Sequence, residues 1–166
     1  MQVDDAIRER RTLKAYTDET VDAATVRELL ALAVHAPNHH RTEPWRFTVL
    51  GPETIERLAE ATGDPKLRRS RTAVVVTQVV DPDPATAQED YAACACAIYA
   101  VLLGARARGL ASYWRTPRAL HDPAAAALLG FLADARPVGI VHLGRSSEPW
   151  PTAPPRAADP YASWLP

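Results

Sequence analysis

Two short stretches of this sequence carry side chains whose types and spacing could do chemistry. The first is Arg10-Arg11-Thr12-Leu13-Lys14, three cations and a hydroxyl within five residues. Guanidinium forks match phosphate oxygens and a threonine hydroxyl adds a neutral donor, so the stretch reads as an anion pocket. The same cations would also offset the dipole of a helix ending there. The second stretch is His35-Ala36-Pro37-Asn38-His39-His40, running on into Glu43-Pro44-Trp45-Arg46-Phe47. His35 and His39 have the i,i+4 spacing of helical metal ligands. Pro37 breaks the helix between them, however, and no glutamate completes a His-Glu-x-x-His pattern, so no metal site is expected. A stiff, proline-flanked loop of imidazoles and an amide suits hydrogen bonding to a planar polar ligand. It would equally serve as a solvated loop with Trp45 anchoring the next strand. Cys94 and Cys96, two apart on an apolar run, point to different sides of a helix and read as small buried thiols. There is no Gly-x-Ser-x-Gly elbow, Gly-x-Gly-x-x-Gly turn or Walker loop, so redox or transfer chemistry would have to come from a cofactor held by another scaffold.

Composition narrows the setting of these groups. The chain has 166 residues with 19 basic and 20 acidic side chains, enough for one domain with a real core. A net charge of −1 argues against sequence-independent nucleic-acid binding. Met1 to Arg10 is too charged for a secretory signal, and the longest uncharged apolar run, Tyr91 to Ala105, is too short to cross a bilayer. A cytoplasmic, soluble protein with no membrane partner is expected. Alanine supplies 31 residues, which points to close packing through small side chains or to help from a second subunit.

The elements that must position the two stretches follow from pattern. Val3 to Arg11 reads as a short helix. Asp22 opens a second, with Val26, Leu29, Leu30, Ala33 and Val34 on one face, ending before Pro37. Trp45 to Leu50 alternates as a strand, and Pro52 starts a helix that Gly63 can end. Ala73 to Val80 is a charge-free β-branched run, hence a central strand. Pro84 to Arg108 is a long helix, ended by Gly109, whose middle is apolar all round and needs cover on several sides. A strand over Leu110 to Arg115, a helix over Ala124 to Leu132 and a strand over Val138 to Leu143 complete the order α-α-β-α-β-α-β-α-β. That order describes a single α+β or α/β domain. From Arg145 to Pro166 six of 22 residues are proline, interleaved with Trp150, Tyr161 and Trp164. Such a segment either reaches onto another surface or packs on its own domain.

Taken together, Ile7 to Lys14 (Ile-x-x-Arg-Arg-Thr-x-Lys), Ala36-Pro37-Asn38-His39 with Pro44-Trp45-Arg46-Phe47, the Trp114-Arg115-Thr116 strand end and the Gly139 to Gly144 strand stand in an order that resembles the nitroreductase family of flavin enzymes, in its short single-domain branch. The resemblance implies an α+β fold with a central, mainly antiparallel sheet flanked by helices. It also implies a homodimer, with residues 1–144 as the FMN-binding domain and 145–166 as an extended C-terminal arm. NAD(P)H would be the co-substrate, and a nitro compound, quinone or similar small molecule the electron acceptor. Flavin N5 would carry the ping-pong hydride transfer, leaving no side chain as catalytic residue. Carried over by motif, Arg10, Arg11, Thr12 and Lys14 would contact the FMN phosphate and ribityl. His35 and His39 would approach the same flavin from the partner subunit, and Trp114, Arg115 and Thr116 would lie beside the isoalloxazine and phosphate. Thr12 stands where serine is usual, Glu43 where glutamine commonly precedes Pro-Trp, and Leu110-Ala111-Ser112 where the approach to Trp114 is usually richer in glycine. A storage or sensor flavoprotein of the same fold is the alternative.

Overall fold

The computed structural model describes every residue except 153, 155 and 166. Its elements run α1 (Val3–Glu9), α2 (Ala23–Ala33), β1 (Trp45–Leu50), α3 (Pro52–Thr62), β2 (Thr72–Val79), α4 (Pro84–Ala107), β3 (Ala111–Arg115), α5 (Pro123–Leu129) and β4 (Ala135–Gly144). This is the expected order. Helix starts follow local chemistry. The carboxylates of Asp22 and Asp83 accept from the Thr25 and Thr86 amides at 2.9 Å, and prolines sit in the first turns of α3, α4 and α5.

The four strands form one sheet in the order β1-β2-β4-β3, every neighbouring pair antiparallel. Side chains alternate across it, as strand geometry requires. From β2, Val74 and Val76 enter a core shared with Val26 and Leu29 of α2 and with Ala97, Ile98 and Val101 of α4. Ala73 and Val75 enter a second core with Ile55 and Leu58 of α3 and Ala125 of α5. The sheet is thus a middle layer, and β2, buried along nearly its whole length, is one of its two central strands.

Three boundaries differ from expectation. Helix α1 stops at Glu9 rather than Arg11, because Arg10 turns to an extended conformation. Helix α5 stops at Leu129 rather than Leu132, because Gly130 adopts φ 65° and the Phe131 amide returns to the Ala126 carbonyl at 3.0 Å. Strand β4 begins at Ala135, two residues before the proline expected to precede it. Pro137 is opposite Thr77 and Gly139 opposite Val76, leaving Val138 as an extra residue. A proline without an N–H is tolerated at such a bulge. Of the two cysteines only Cys94 is buried; Cys96 is exposed, contrary to the reading of both as core thiols.

By length and composition α4 could span a membrane, with mean hydropathy 1.3. Its Ala93, Ala97, Val101 and Ala105 side is instead buried against α2 and the sheet, which makes it a core helix. Close approach rests on small residues. A Cβ on Gly104 would stand 2.7 Å from Leu32 Cδ1 and 2.9 Å from Leu29 Cδ2 across the α2–α4 crossing. The opposite side of α4, with Ala92, Cys96 and Tyr99, is left uncovered by its own chain.

The tightest glycine is Gly139, where a Cβ would fall 2.3 Å from Trp114 Nε1 and 2.7 Å from the Arg115 carbonyl oxygen. The carbonyl is backbone and cannot swing aside. Gly139→Ala is therefore expected to cost about 1–3 kcal/mol by overpacking, read as a lower urea midpoint. An unchanged midpoint would mean that β3 and β4 separate freely at this point.

Candidate functional site

After α1 the chain runs extended beside the sheet. Thr12 bridges to Ser112 at the start of β3, and Tyr16 to Ser146 after β4. Leu13 is buried as a peg, and the Tyr16 hydroxyl donates to its carbonyl at 2.8 Å. With Leu13 inward, Thr12 and Lys14 are left exposed. Lys14 Nζ lies 5.3 Å above the Tyr113 ring, and the Arg69 guanidinium carbon lies 6.0 Å from the same ring, close enough for cation–π attraction. Arg11 turns the other way: its Nη1 donates to the carbonyls of Arg8 and Arg10 at 2.7 Å each, capping α1.

Lys14, Lys66, Arg69, Tyr113, Trp114, Arg115, Thr116 and Pro117 line a cleft of about 460 Å³. The structure therefore brings Lys14 together with Trp114, Arg115 and Thr116, all singled out in the sequence, and adds Lys66 and Arg69, which were not. The latter two stand three apart on a 3-10 turn, Pro65–Arg69, where i and i+3 share a face. Arg68, between them, points outward into a bidentate pair with Glu56. Asp64 fixes both walls of the cleft. One oxygen accepts from the Lys66 amide at 2.9 Å and the other from Arg115 Nη2 at 2.5 Å, in a pair that is mostly buried.

This cleft is short of acceptors. Among the described residues, Arg69 Nε and Arg115 Nη1 are buried donors with no partner; the Trp114 indole, opposite Val141, lies on the other face of the sheet against Gly139. A buried donor left unmade costs roughly 1–3 kcal/mol, so two at one cleft suit a ligand rich in phosphate, hydroxyl or carbonyl oxygen. FMN has that chemistry, and the donor set fits it.

Below Tyr113 lies His142, fully buried on β4, its ring 6.0 Å from the tyrosine ring and nearly parallel to it. The Ser70 hydroxyl donates to the Thr72 carbonyl at 2.7 Å, so its oxygen accepts from His142 Nδ1–H at 3.0 Å. The bond places a proton on Nδ1 of the imidazole and leaves Nε2 buried and without a partner among the described residues. Burial, reinforced by the charges of Arg115 and Arg69, pushes its pKa down to about 4.

The histidine stretch is elsewhere. His35 is exposed at the end of α2, and His39 opens a 3-10 turn, His39–Arg41, that packs against the first half of α4. His39 Nδ1 pairs with Glu89 Oε2 at 2.6 Å. The segment around Arg10 is tied to the other end of α4 through the Glu9–Arg106 ion pair. The two anchors on α4, Glu89 and Arg106, are 17 positions apart, about 25 Å at 1.5 Å per residue. Within one chain the histidines and the cationic cleft do not meet. Trp150 also docks on this far end, donating from Nε1 to the Glu9 carbonyl at 3.0 Å, with the Arg106 guanidinium 4.4 Å over its ring. The start of the C-terminal segment thus packs on its own domain, whereas Tyr161 and Trp164 are 90 % and 86 % exposed.

Comparison with known proteins gives a consistent result. A model of the nitroreductase family matches residues 7–78. Bacillus subtilis (strain 168) YfhC, provisionally named an NAD(P)H nitroreductase, is 27% identical over 163 residues, covering 87% of this chain and 84% of that protein. A nitroreductase-like family protein from Bacillus cereus superposes with TM-score 0.88 at 25% identity, over 99% of this chain and 96% of that one. A nitroreductase with bound FMN from Bacteroides fragilis NCTC 9343 has the same fold, with TM-score 0.82 at 24% identity over the full length of both chains.

The buried imidazole sets a pH dependence. Its pKa is lower folded than unfolded, so below about 6.5 the unfolded chain binds the proton that the folded chain refuses. Its contribution is fully present above that pH and is lost as pH falls toward about 4, by roughly 3 kcal/mol in total. His142→Asn keeps a donor for Ser70 and does not titrate. The difference between wild type and variant in urea midpoint should shift in favour of the variant across this window, and a constant difference would show that His142 does not titrate there.

Proposed function

We propose that this chain is a member of the nitroreductase family and an NAD(P)H-dependent FMN oxidoreductase, soluble and cytoplasmic, working as a homodimer on nitro compounds, quinones or similar acceptors. The observation that carries the reading is the Lys14–Lys66–Arg69–Arg115 cleft with its two unpartnered buried donors, Arg69 Nε and Arg115 Nη1. When bound there, FMN supplies the redox chemistry: hydride from NAD(P)H enters and leaves at the flavin, and no side-chain nucleophile is needed.

The protein's part is to bind and orient. Arg10, Thr12 and Lys14, with Arg11 bracing the end of α1, would hold phosphate and ribityl. Lys66 and Arg69 add charge from the opposite wall, and Trp114, Arg115 and Thr116 line the side of the ring. His35 and His39 do not line this cleft, and His39 is held at the other end of α4, so they would serve the site of the partner subunit. A two-fold pairing of α4 with its copy, along the uncovered Ala92–Cys96–Tyr99 side, turns the His39 end of one helix toward the Arg106 end of the other. The residues after Arg145, with exposed Tyr161 and Trp164, form an arm suited to the same interface.

The purified protein should be yellow, release FMN on denaturation and bleach anaerobically with NADH or NADPH. A colourless protein that cannot be reconstituted with FMN would overturn the reading, and a yellow one that neither nucleotide bleaches would make it a storage or sensor protein. Lys14→Ala and Arg69→Ala should each weaken FMN binding about tenfold, the worth of one charge-assisted hydrogen bond. Affinity unchanged in both would remove the cleft from the site.

A further inference from the structure

The turn that carries His39 is strained, and its strain is held from outside. His40, Arg41 and Glu43, none of them glycine, adopt φ of 52°, 55° and 45°. Side chains other than glycine rarely enter this region, and such conformations persist only where the surroundings impose them. Within the turn, Asn38 Oδ1 accepts from the Glu43 amide at 3.1 Å, and the Thr42 amide returns to the His39 carbonyl at 3.2 Å. The outside support comes from two consecutive residues of α4. The Thr42 hydroxyl donates to Asp90 Oδ1 at 2.5 Å, and Asp90 is 2 % exposed, so the end of the turn is pinned to a buried carboxylate. Its beginning is pinned by Glu89, which meets His39 Nδ1 at 2.6 Å. The His40 ring stacks on that of His39 with centroids 3.9 Å apart, closing a second side of the imidazole.

A carboxylate accepts and cannot donate, so the proton shared with Glu89 sits on Nδ1. The atom left for a ligand is then Nε2, which makes no hydrogen bond among the described residues. We propose that Glu89 is a positioning residue: it fixes the ring and tautomer of His39 so that Nε2 is offered as an acceptor to the flavin bound by the partner subunit, with Asp90 anchoring the turn that carries it. This rests on the functional reading above, and Glu89 itself touches no cofactor.

The test uses the full-length protein, with nitrogen-15 NMR of the histidine side chains above the ordinary imidazole range of pH and FMN titration by flavin fluorescence. The His39→Ala spectrum identifies the His39 signals. In wild type Nδ1 should carry the proton. Glu89→Ala should release that preference and weaken FMN binding about tenfold, as loss of one charge-assisted contact would. Glu89→Gln, which keeps an acceptor oxygen, should restore both. His39→Ala should weaken binding equally, and the double variant should lose no more than either single one. Both side chains are exposed, so neither substitution threatens the core. A proton on Nε2 in wild type, unchanged affinity in Glu89→Ala, or additive losses in the double variant would each overturn the proposal. A wild type that binds no FMN would overturn the functional reading, whereas FMN binding indifferent to Glu89 overturns only the role of Glu89.

Discussion

Four cations face one cleft, and the carboxylate of Asp64 is what lets the walls that bear them come together. Like charges a few ångströms apart repel by a few kcal/mol at an effective dielectric constant near 20, roughly the price of one good hydrogen bond each. Asp64 offsets this for Arg115 directly, and for Lys66 by holding the backbone that carries it. The charge of Lys14 and Arg69 is met differently, by the face of Tyr113, which spreads it over an aromatic surface without neutralising it. The cleft therefore stays net positive while its geometry is fixed. That combination favours a dianion, and it is achieved in a protein whose overall charge is −1. Tyr113 in turn rests on a histidine that cannot readily accept a proton, so no further positive charge builds up beneath the cleft.

The second constraint is the length of α4. A helix of 24 residues is longer than the sheet strands it covers, and its two ends lie in different chemical neighbourhoods. One end, through Arg106, anchors α1 and Trp150; the other anchors the histidine turn. A single chain holds its histidines and its cations apart by this rigid spacer. In the proposed dimer, a copy packed antiparallel would bring the two sets together. The small residues on α4 serve both of its sides, admitting Leu29 and Leu32 of α2 at Gly104 and leaving a low, uncovered surface around Ala92 and Cys96.

Much of this was legible in the sequence. The nine elements and their order follow from periodicity, proline and glycine, because those signals are local. What escaped depended on partners distant in sequence. Lys66 and Arg69 lie in Pro-Lys-Leu-Arg-Arg, which looks like a solvated charged run. They become a wall of the cleft only because Asp64 and Glu56 sort the charges of that turn to different sides. Pro137 reads as a strand boundary, yet the register shift opposite Val76 and Thr77 lets the strand run through it. Cys96 reads as a core thiol because its neighbours are apolar, and only the packing of α4 shows which side faces out. The site residues named from the motif stretches were visible by type, but their division into two separate groups was not, since spacing along a chain carries no information about which end of a helix each loop will meet.

The histidine turn shows why that last feature resists sequence reading. His-His-Arg-Thr-Glu contains no glycine, and nothing in its local propensities calls for three left-handed residues. Local preference and observed backbone disagree, and the disagreement is settled by tertiary contacts with Glu89 and Asp90 and by the Asn38 side chain. Strain of about 1–3 kcal/mol per residue is small beside a folded core but large for a free loop, which would relax without those contacts. A relaxed loop would present His39 in many orientations. The cost of holding the turn is therefore meaningful only if one orientation of that ring matters, and among the described residues nothing uses the atom it exposes.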